Sequence, residues 1–299
     1  MPSREHAAIA AELTPPHAVI EPTDSPVPFV FCSPHSGRIY PAAFLAAARL
    51  DPLALRRSED CYVDELLGGV ARLGAPLLAA RFPRAYLDVN REPYELDPEL
   101  FAGPLPDFAN SSTMRVIGGL GTIARIVADS EEIYRDKPSL GMALARIELL
   151  YKPFHATLAR LLERTCRQFG YAVLVDCHSM PSTSASAGQG PRPDFVIGDR
   201  FGGSCDNRVT RALREALALR GAQVQLNRPY AGGYITEHYG RPYRGVHAIQ
   251  LEINRGLYLD EATLSPSAGF QALRLGLTEA LARTIVEVRS AFERRAAAE

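Results

Sequence analysis

The chain reads as an α/β protein, a three-layer α/β/α arrangement with a mixed, mostly parallel central sheet. Three observations predict it. Apolar runs of strand length alternate with helical patterns along most of the chain. Several runs stop abruptly at polar residues, as buried strands do when only their carboxyl ends reach a ligand site. The chain has 299 residues, 46% of them hydrophobic, enough to enclose one large core.

Residues 1–27 are expected to form an N-terminal arm and residues 28–299 a single domain. Strand candidates fall at 28–33, 76–82, 85–90, 171–178, 194–199, 222–227 and 247–254. The first, Phe29-Val30-Phe31-Cys32-Ser33, breaks at Pro34 and presents His35 ahead of the turn residue Gly37. In 60–73, Val63, Leu66, Leu67 and Val70 recur at helical spacing, weakened by Gly68 and Gly69. Residues 142–169 continue a helical pattern that Pro153 should kink or split. Helices are also expected over 205–219 and 267–294. Residues 92–141 lack a long periodic element and are rich in Gly, Pro, Asp and Ser, which predicts a lid or insert. A second irregular stretch, 182–193, follows the His178 strand and is expected to border the site. No internal repeat is present.

The bulk properties exclude several classes of function. The 33 basic and 34 acidic residues nearly cancel, so no electrostatic grip on nucleic acid or an anionic membrane is expected. No apolar run approaches the roughly 20 residues that span a bilayer. Met1-Pro2-Ser3-Arg4-Glu5-His6 lacks the apolar core of a signal peptide, so a cytoplasmic location is expected. Cys32, Cys61, Cys166, Cys177 and Cys205 are odd in number and show no C-x-x-C spacing, against both a disulfide framework and a structural zinc knuckle. A nucleophilic Cys177 is disfavoured because strand neighbours point to opposite faces, away from His178.

The chemistry gathers at the strand ends. His178 closes the run Tyr171-Ala172-Val173-Leu174-Val175-Asp176-Cys177-His178; it is either a metal ligand or a core histidine satisfied by Asp176 on the same strand face. In His247-Ala248-Ile249-Gln250-Leu251-Glu252-Ile253-Asn254-Arg255, Glu252 stands on a polar face where burial demands a cation or a hydrogen-bond network. A catalytic zinc site takes three ligands from His, Asp, Glu or Cys and keeps one position open. His35 and His178 supply two. Ser58-Glu59-Asp60 offers two acids for the third, and either also suits a helix N-terminus. Asp60 is favoured over Glu59 because its shorter side chain is held more rigidly. Glu252 suits the general base. Arg91 and Asn90, with Arg84 nearby, suit a substrate carboxylate; the alternative is an internal salt bridge to Asp88 or Glu92. A serine hydrolase using Ser179 or Ser36 finds no G-x-S-x-G elbow.

Read together, Pro34-His35-Ser36-Gly37, Glu59-Asp60-x-x-Val63-Asp64-Glu65-Leu66, Asp88-Val89-Asn90-Arg91-Glu92-Pro93, Asp176-Cys177-His178-Ser179-Met180-Pro181, Gly232-Gly233-Tyr234-Ile235-Thr236, Tyr239-Gly240-Arg241-Pro242 and Gln250-Leu251-Glu252-Ile253-Asn254-Arg255-x-x-Tyr258 resemble the N-formylglutamate amidohydrolase family. The resemblance implies the mixed-sheet, phosphorylase/hydrolase-like fold shared with zinc carboxypeptidases. It further implies one Zn2+ per chain on His35, Asp60 and His178, with Glu252 activating water. Substrate contacts are implied for Arg84, Asn90, Arg91, Gly233, Thr236 and Arg255. The pattern departs from the His-x-x-Glu unit of zinc carboxypeptidases, since Arg38 stands three residues beyond His35; within the amidohydrolase family the acid is Asp60. The implied reaction is hydrolysis of a linear amide in a small acidic N-acyl amino acid. N-formyl-L-glutamate would give formate and L-glutamate, ending a histidine-degradation route. The alternatives are another N-acyl or carboxylate-bearing amino acid, or a relative that binds without turnover, disfavoured by the presence of Glu252.

Overall fold

Val, Ile, Leu and Phe occupy the central strands because a strand covered on both faces has no solvent side for polar residues. The computed structural model describes residues 4–23, 25–127, 131–183 and 192–296. Among these, β1 (His17–Ile20), β2 (Phe29–Ser33), β3 (Leu77–Ala80), β4 (Ala172–Met180), β5 (Phe195–Gly198), β6 (Val224–Leu226) and β7 (Val246–Asn254) form a seven-stranded sheet in the order β1-β3-β2-β4-β7-β5-β6. β4 runs parallel to β2 and β7, β5 runs parallel to β6, and β5 pairs antiparallel to β7. The sheet is therefore mixed, as expected for this α/β class. All of β2, β3, β4 and β5 is buried, and so is β7 beyond Val246.

Backbone contacts group the chain into two compact units. One comprises the segment up to Ala18 with Pro34–Cys61 and Ala79–Leu158; the other comprises Val19–Ser33, Tyr62–Leu78 and the chain from Ala159 onward. The second unit contains the central strands. In it the Asn207–Ala218 helix packs against the long Phe270–Ala296 helix. The Asp206 side chain caps the former by accepting from the Arg208 N–H, which satisfies one of the donors left over at a helix start.

The first unit has little regular structure and is organised around the buried guanidinium of Arg146. Its Nη1 donates to the Tyr86 carbonyl at 2.9 Å and to the Tyr134 hydroxyl at 2.8 Å, its Nε donates to Glu5, and the group lies 3.6 Å over the Tyr86 ring. Such a cation over an aromatic face is more strongly held when desolvated. Among the described residues of 92–141 the one complete helix is the short Met114–Ile117, yet Leu96, Leu100, Phe101, Val116, Ile123 and Ile133 are buried. The segment is packed rather than loose. Residues 1–27 likewise contribute the Arg4–Glu12 helix and β1.

Three elements differ from expectation. Residues 85–90 are not a strand: the Tyr86 and Leu87 N–H groups donate to the Pro83 carbonyl and that of Asp88 to Thr122, so the backbone closes into turns instead of a ladder. The helix expected over 60–73 shrinks to Val63–Leu66 and a 3₁₀ turn at Val70–Leu73, parted at Gly68 and Gly69. The break expected at Pro153 arrives one turn early, as a wide π-helical turn at Ile147–Tyr151 between the Leu140–Arg146 and Lys152–Phe169 helices. Proline has no N–H for the carbonyl four residues back and its ring crowds it; that carbonyl, of Leu149, lies inside the wide turn. Most of the 182–193 stretch, residues 184–191, lies outside the described residues.

Candidate active site

His35 stands two residues past the end of β2, at a turn with no room for a side chain at Gly37. A Cβ there would meet the Phe82 carbonyl oxygen at 2.1 Å. The Ile39 N–H donates to the Arg81 carbonyl and the Asp60 N–H to that of His35 itself, which fixes the turn from both sides. The His35 ring is buried; its Nε2 lies 2.7 Å from Asp88 Oδ1 and its Nδ1 3.3 Å from Asp60 Oδ2. Glu59, the competing acid, is turned elsewhere. It accepts from the Tyr40 hydroxyl at 2.6 Å, from Arg56 Nε at 3.2 Å and from Cys61 Sγ at 3.3 Å.

Asp88 is the electrostatic hub of this region. Burial alone would raise its pKa, but Arg91, His35 and Arg84 outweigh that and hold the carboxyl well below the usual carboxylate range. Arg84 Nε donates to Asp88 Oδ2 at 3.0 Å, Arg91 Nη2 lies 3.5 Å from the same oxygen, and the Asn90 N–H donates to Oδ1 at 2.8 Å. Arg91 is further held through Nε to the Leu120 carbonyl and Nη1 to that of Asn90, while the Tyr151 hydroxyl donates to the Arg91 carbonyl at 2.7 Å. Burial first, then the like charges of Arg84 and Arg115 against the opposing Asp88, bring Arg91 to about 10, still protonated at neutral pH. The internal salt bridge foreseen for Arg91 thus exists, within a cluster where Arg84, Arg91 and Arg115 face Asp88 and Glu95.

On β4, Asp176 and His178 share a strand face, and His178 Nε2 lies 3.1 Å from Asp176 Oδ2 with both side chains buried. On β7, Glu252 is the register partner of His178 and Gln250 that of Asp176. Gln250 Nε2 donates to Glu252 Oε1 at 2.8 Å, and the Gly233 N–H donates to Gln250 Oε1 at 2.7 Å. Arg255, just beyond β7, donates through Nε to Ser179 Oγ at 3.1 Å. Thr236 is fully buried, with no hydrogen-bond partner for its hydroxyl among the described residues. Burial, then the Asp176 charge, pushes the Cys32 and Cys177 thiols well above their ordinary values, so neither is a nucleophile.

Among the described residues, His35, Asp60 and His178 make a buried group able to hold a metal ion, each offering one ligand atom, all within 4.8 Å of one another. Both histidines have a buried carboxylate on Nε2, the pattern that orients a metal-binding imidazole from behind. Reading the sequence left Gln250 and Arg115 without a role and gave Asp88 only as a salt-bridge partner of Arg91. Gln250 could have been found from its spacing of two to Glu252, which puts both on one strand face. Asp88 had no such signal toward His35, 53 residues away.

The N-formylglutamate amidohydrolase family profile matches residues 27–259. The chain belongs to this family. It is 32% identical over 266 residues to the N-formylglutamate deformylase of Pseudomonas aeruginosa, covering 88% of this chain and 91% of that one. It is also 32% identical over 205 residues to the Pseudomonas putida N-formylglutamate deformylase, covering 68% and 71%. The crystal structure of N-formylglutamate amidohydrolase from Ralstonia eutropha JMP134 superposes with a TM-score of 0.87 at 35% identity, covering 92% of this chain and 99% of that one. For this amidohydrolase-family chain, no described helix is long and apolar enough to cross a membrane.

Proposed function

We propose that this enzyme hydrolyses N-formyl-L-glutamate to formate and L-glutamate, using one divalent metal, zinc, held by His35, Asp60 and His178. The observation behind the mechanism is the buried His/Asp/His group together with Glu252, register partner of His178 on the next strand. The donor set fits: two imidazoles and a carboxylate are the N and O ligands of catalytic zinc, and Asp88 and Asp176 stand behind the histidines. When bound, such an ion supplies Lewis-acid polarisation of the scissile carbonyl and makes water more acidic. Glu252 takes a proton from the attacking water as the C–O bond forms and hands it to the amine nitrogen as the C–N bond breaks. No covalent enzyme intermediate is needed.

Arg91 supplies a guanidinium fork for a substrate carboxylate. Asn90, Arg84, Gly233, Thr236 and Arg255 are the further substrate contacts in this reading. The buried Thr236 hydroxyl supports its part. Arg84, Arg91 and Arg115, set against Asp88 and Glu95, favour a carboxylate-bearing substrate, as a glutamate derivative is. A cytoplasmic location completes the reading. Assays of the purified protein on N-formyl, N-acetyl and N-succinyl amino acids, with elemental analysis, test it. Fastest turnover on N-formyl-L-glutamate with one zinc per chain is the expected result; preference for another acyl group would reassign the substrate, and full activity without metal would remove the ion from the mechanism.

A further inference from the structure

The amide of Gln250 has a defined orientation. A backbone N–H can only donate, so the amide atom 2.7 Å from the Gly233 nitrogen must be the oxygen. The NH₂ end is then the one facing Glu252 Oε1 at 2.8 Å, where a carboxylate needs a donor. Had the amide been reversed, both contacts would oppose like partners. The segment leading into Gly233 is itself held. The Arg200 N–H donates to the Ala231 carbonyl at 2.8 Å, and Arg200 Nη1 donates to that of Gly232 at 3.3 Å. At Gly198, the last residue of β5, a Cβ would sit 2.6 Å from the Ala231 carbonyl carbon, so this loop lies directly on the strand end. The series from β5 to Ala231, Gly233, Gln250 and Glu252 is continuous.

β4 repeats the device. Asp176 and Gln250 are register partners, as are His178 and Glu252. In both strands the residue two places upstream, on the same face, makes a side-chain contact with the functional group: 3.1 Å on β4 and 2.8 Å on β7.

We propose that Gln250 is a positioning residue for the base, fixing the Glu252 carboxylate through an amide whose orientation the Gly233 N–H dictates; this rests on the reading of Glu252 as the proton acceptor. A positioning amide acts on turnover through Glu252, so its removal should matter only while that carboxylate is present. Gln250→Met, close in size and without the amide, should lower kcat about ten- to a hundredfold, as loss of an orienting partner does, with KM within about twofold and metal content retained. Gln250→Glu keeps the acceptor for Gly233 but sets a like charge beside Glu252, so it should lose at least as much kcat; it also serves should the Met variant fail to fold. In a Glu252→Gln background, Gln250→Met should cost little more, because coupled residues are not additive. Wild-type kcat in Gln250→Met and Gln250→Glu, a loss confined to KM, or an equal loss in both backgrounds would overturn the inference. A fully active Glu252→Gln enzyme would instead overturn the reading of the base, so the two failures are distinct.

Discussion

Along β4 and β7 each candidate site residue has its side-chain partner two places upstream on the same strand, Asp176 for His178 and Gln250 for Glu252. Around Asp88 the arrangement is of another kind. That carboxylate collects Arg84, Asn90 and Arg91 from its own turn and His35 from 53 residues away. The strand pairs need only the pleat, which puts alternate side chains on one face. The Asp88 cluster needs long-range closure and charge balance among buried groups, where an unmatched ion is costly. Strand-borne positioning should therefore fail locally, in turnover, and loop-borne positioning should fail globally, in stability.

The most complete break is expected at His178. His178→Ala should lose the metal and bring hydrolysis to background, read by elemental analysis and assay; a metal-loaded, active variant would remove His178 from the ligand set. Glu252→Gln comes next: it keeps size but removes the proton acceptor. Its kcat should fall about 10²- to 10⁴-fold, roughly 2.7 to 5.5 kcal/mol, with metal content and Tm retained. Were Glu252 only a buried polar group, stability would change and kcat would not.

The comparison itself is sharpened by Asp88→Asn against Asp176→Asn. Each should weaken activity or metal retention about ten- to a hundredfold. In urea titrations, however, Asp88→Asn should cost about 3 kcal/mol, because Arg84 and Arg91 lose their counter-charge, against about 1 kcal/mol for Asp176→Asn. Equal costs would erase the distinction between the two regions. Arg91→Lys replaces a fork by a point charge and should raise KM for acidic substrates about tenfold with the metal in place; unchanged kinetics would leave Arg91 with its internal salt bridge alone.

The smallest effect is expected at the Asp206 cap. Hydrogen bonds from the Arg208 side chain, working against burial, hold Asp206 at about 2, below its ordinary 3.8. A lowered folded pKa gives stability that is present above about 3.8 and lost as pH falls toward about 2. Asp206→Ala should thus cost about 1 kcal/mol at neutral pH and progressively less in that acid window, with kcat untouched. A pH-independent cost would point to packing instead of charge.

Legibility in the sequence divides along the same line. The strands that carry His178 and Glu252 were legible because an apolar run that ends in polar residues at a spacing of two describes a strand and its face without further information. The 85–90 segment misled because Ala-Tyr-Leu-Asp-Val-Asn alternates as a strand does, while its backbone partners, Pro83 and Thr122, supply turns. The preference for Asp60 over Glu59 rests on side-chain length and the family resemblance; the structural distinction between the two acids was not legible. It depends on Tyr40, Arg56 and Cys61 surrounding one acid and on His35 facing the other.

The wide turn at Ile147–Tyr151 has a consequence for chain length. A π-helical turn is a helix with one residue more than regular winding accommodates, and here it brings the Tyr151 hydroxyl to the Arg91 carbonyl. Deleting one residue from this turn would restore regular winding with the flanking helices nearly in phase, whereas inserting one more would rotate the helix before it by about 100° against the helix after it. Arg146, the pin of the first unit, and Tyr151 would no longer both face their partners. A single-residue deletion within 147–151 should therefore be absorbed, whereas a further insertion there would uncouple Arg91 from the helix behind it.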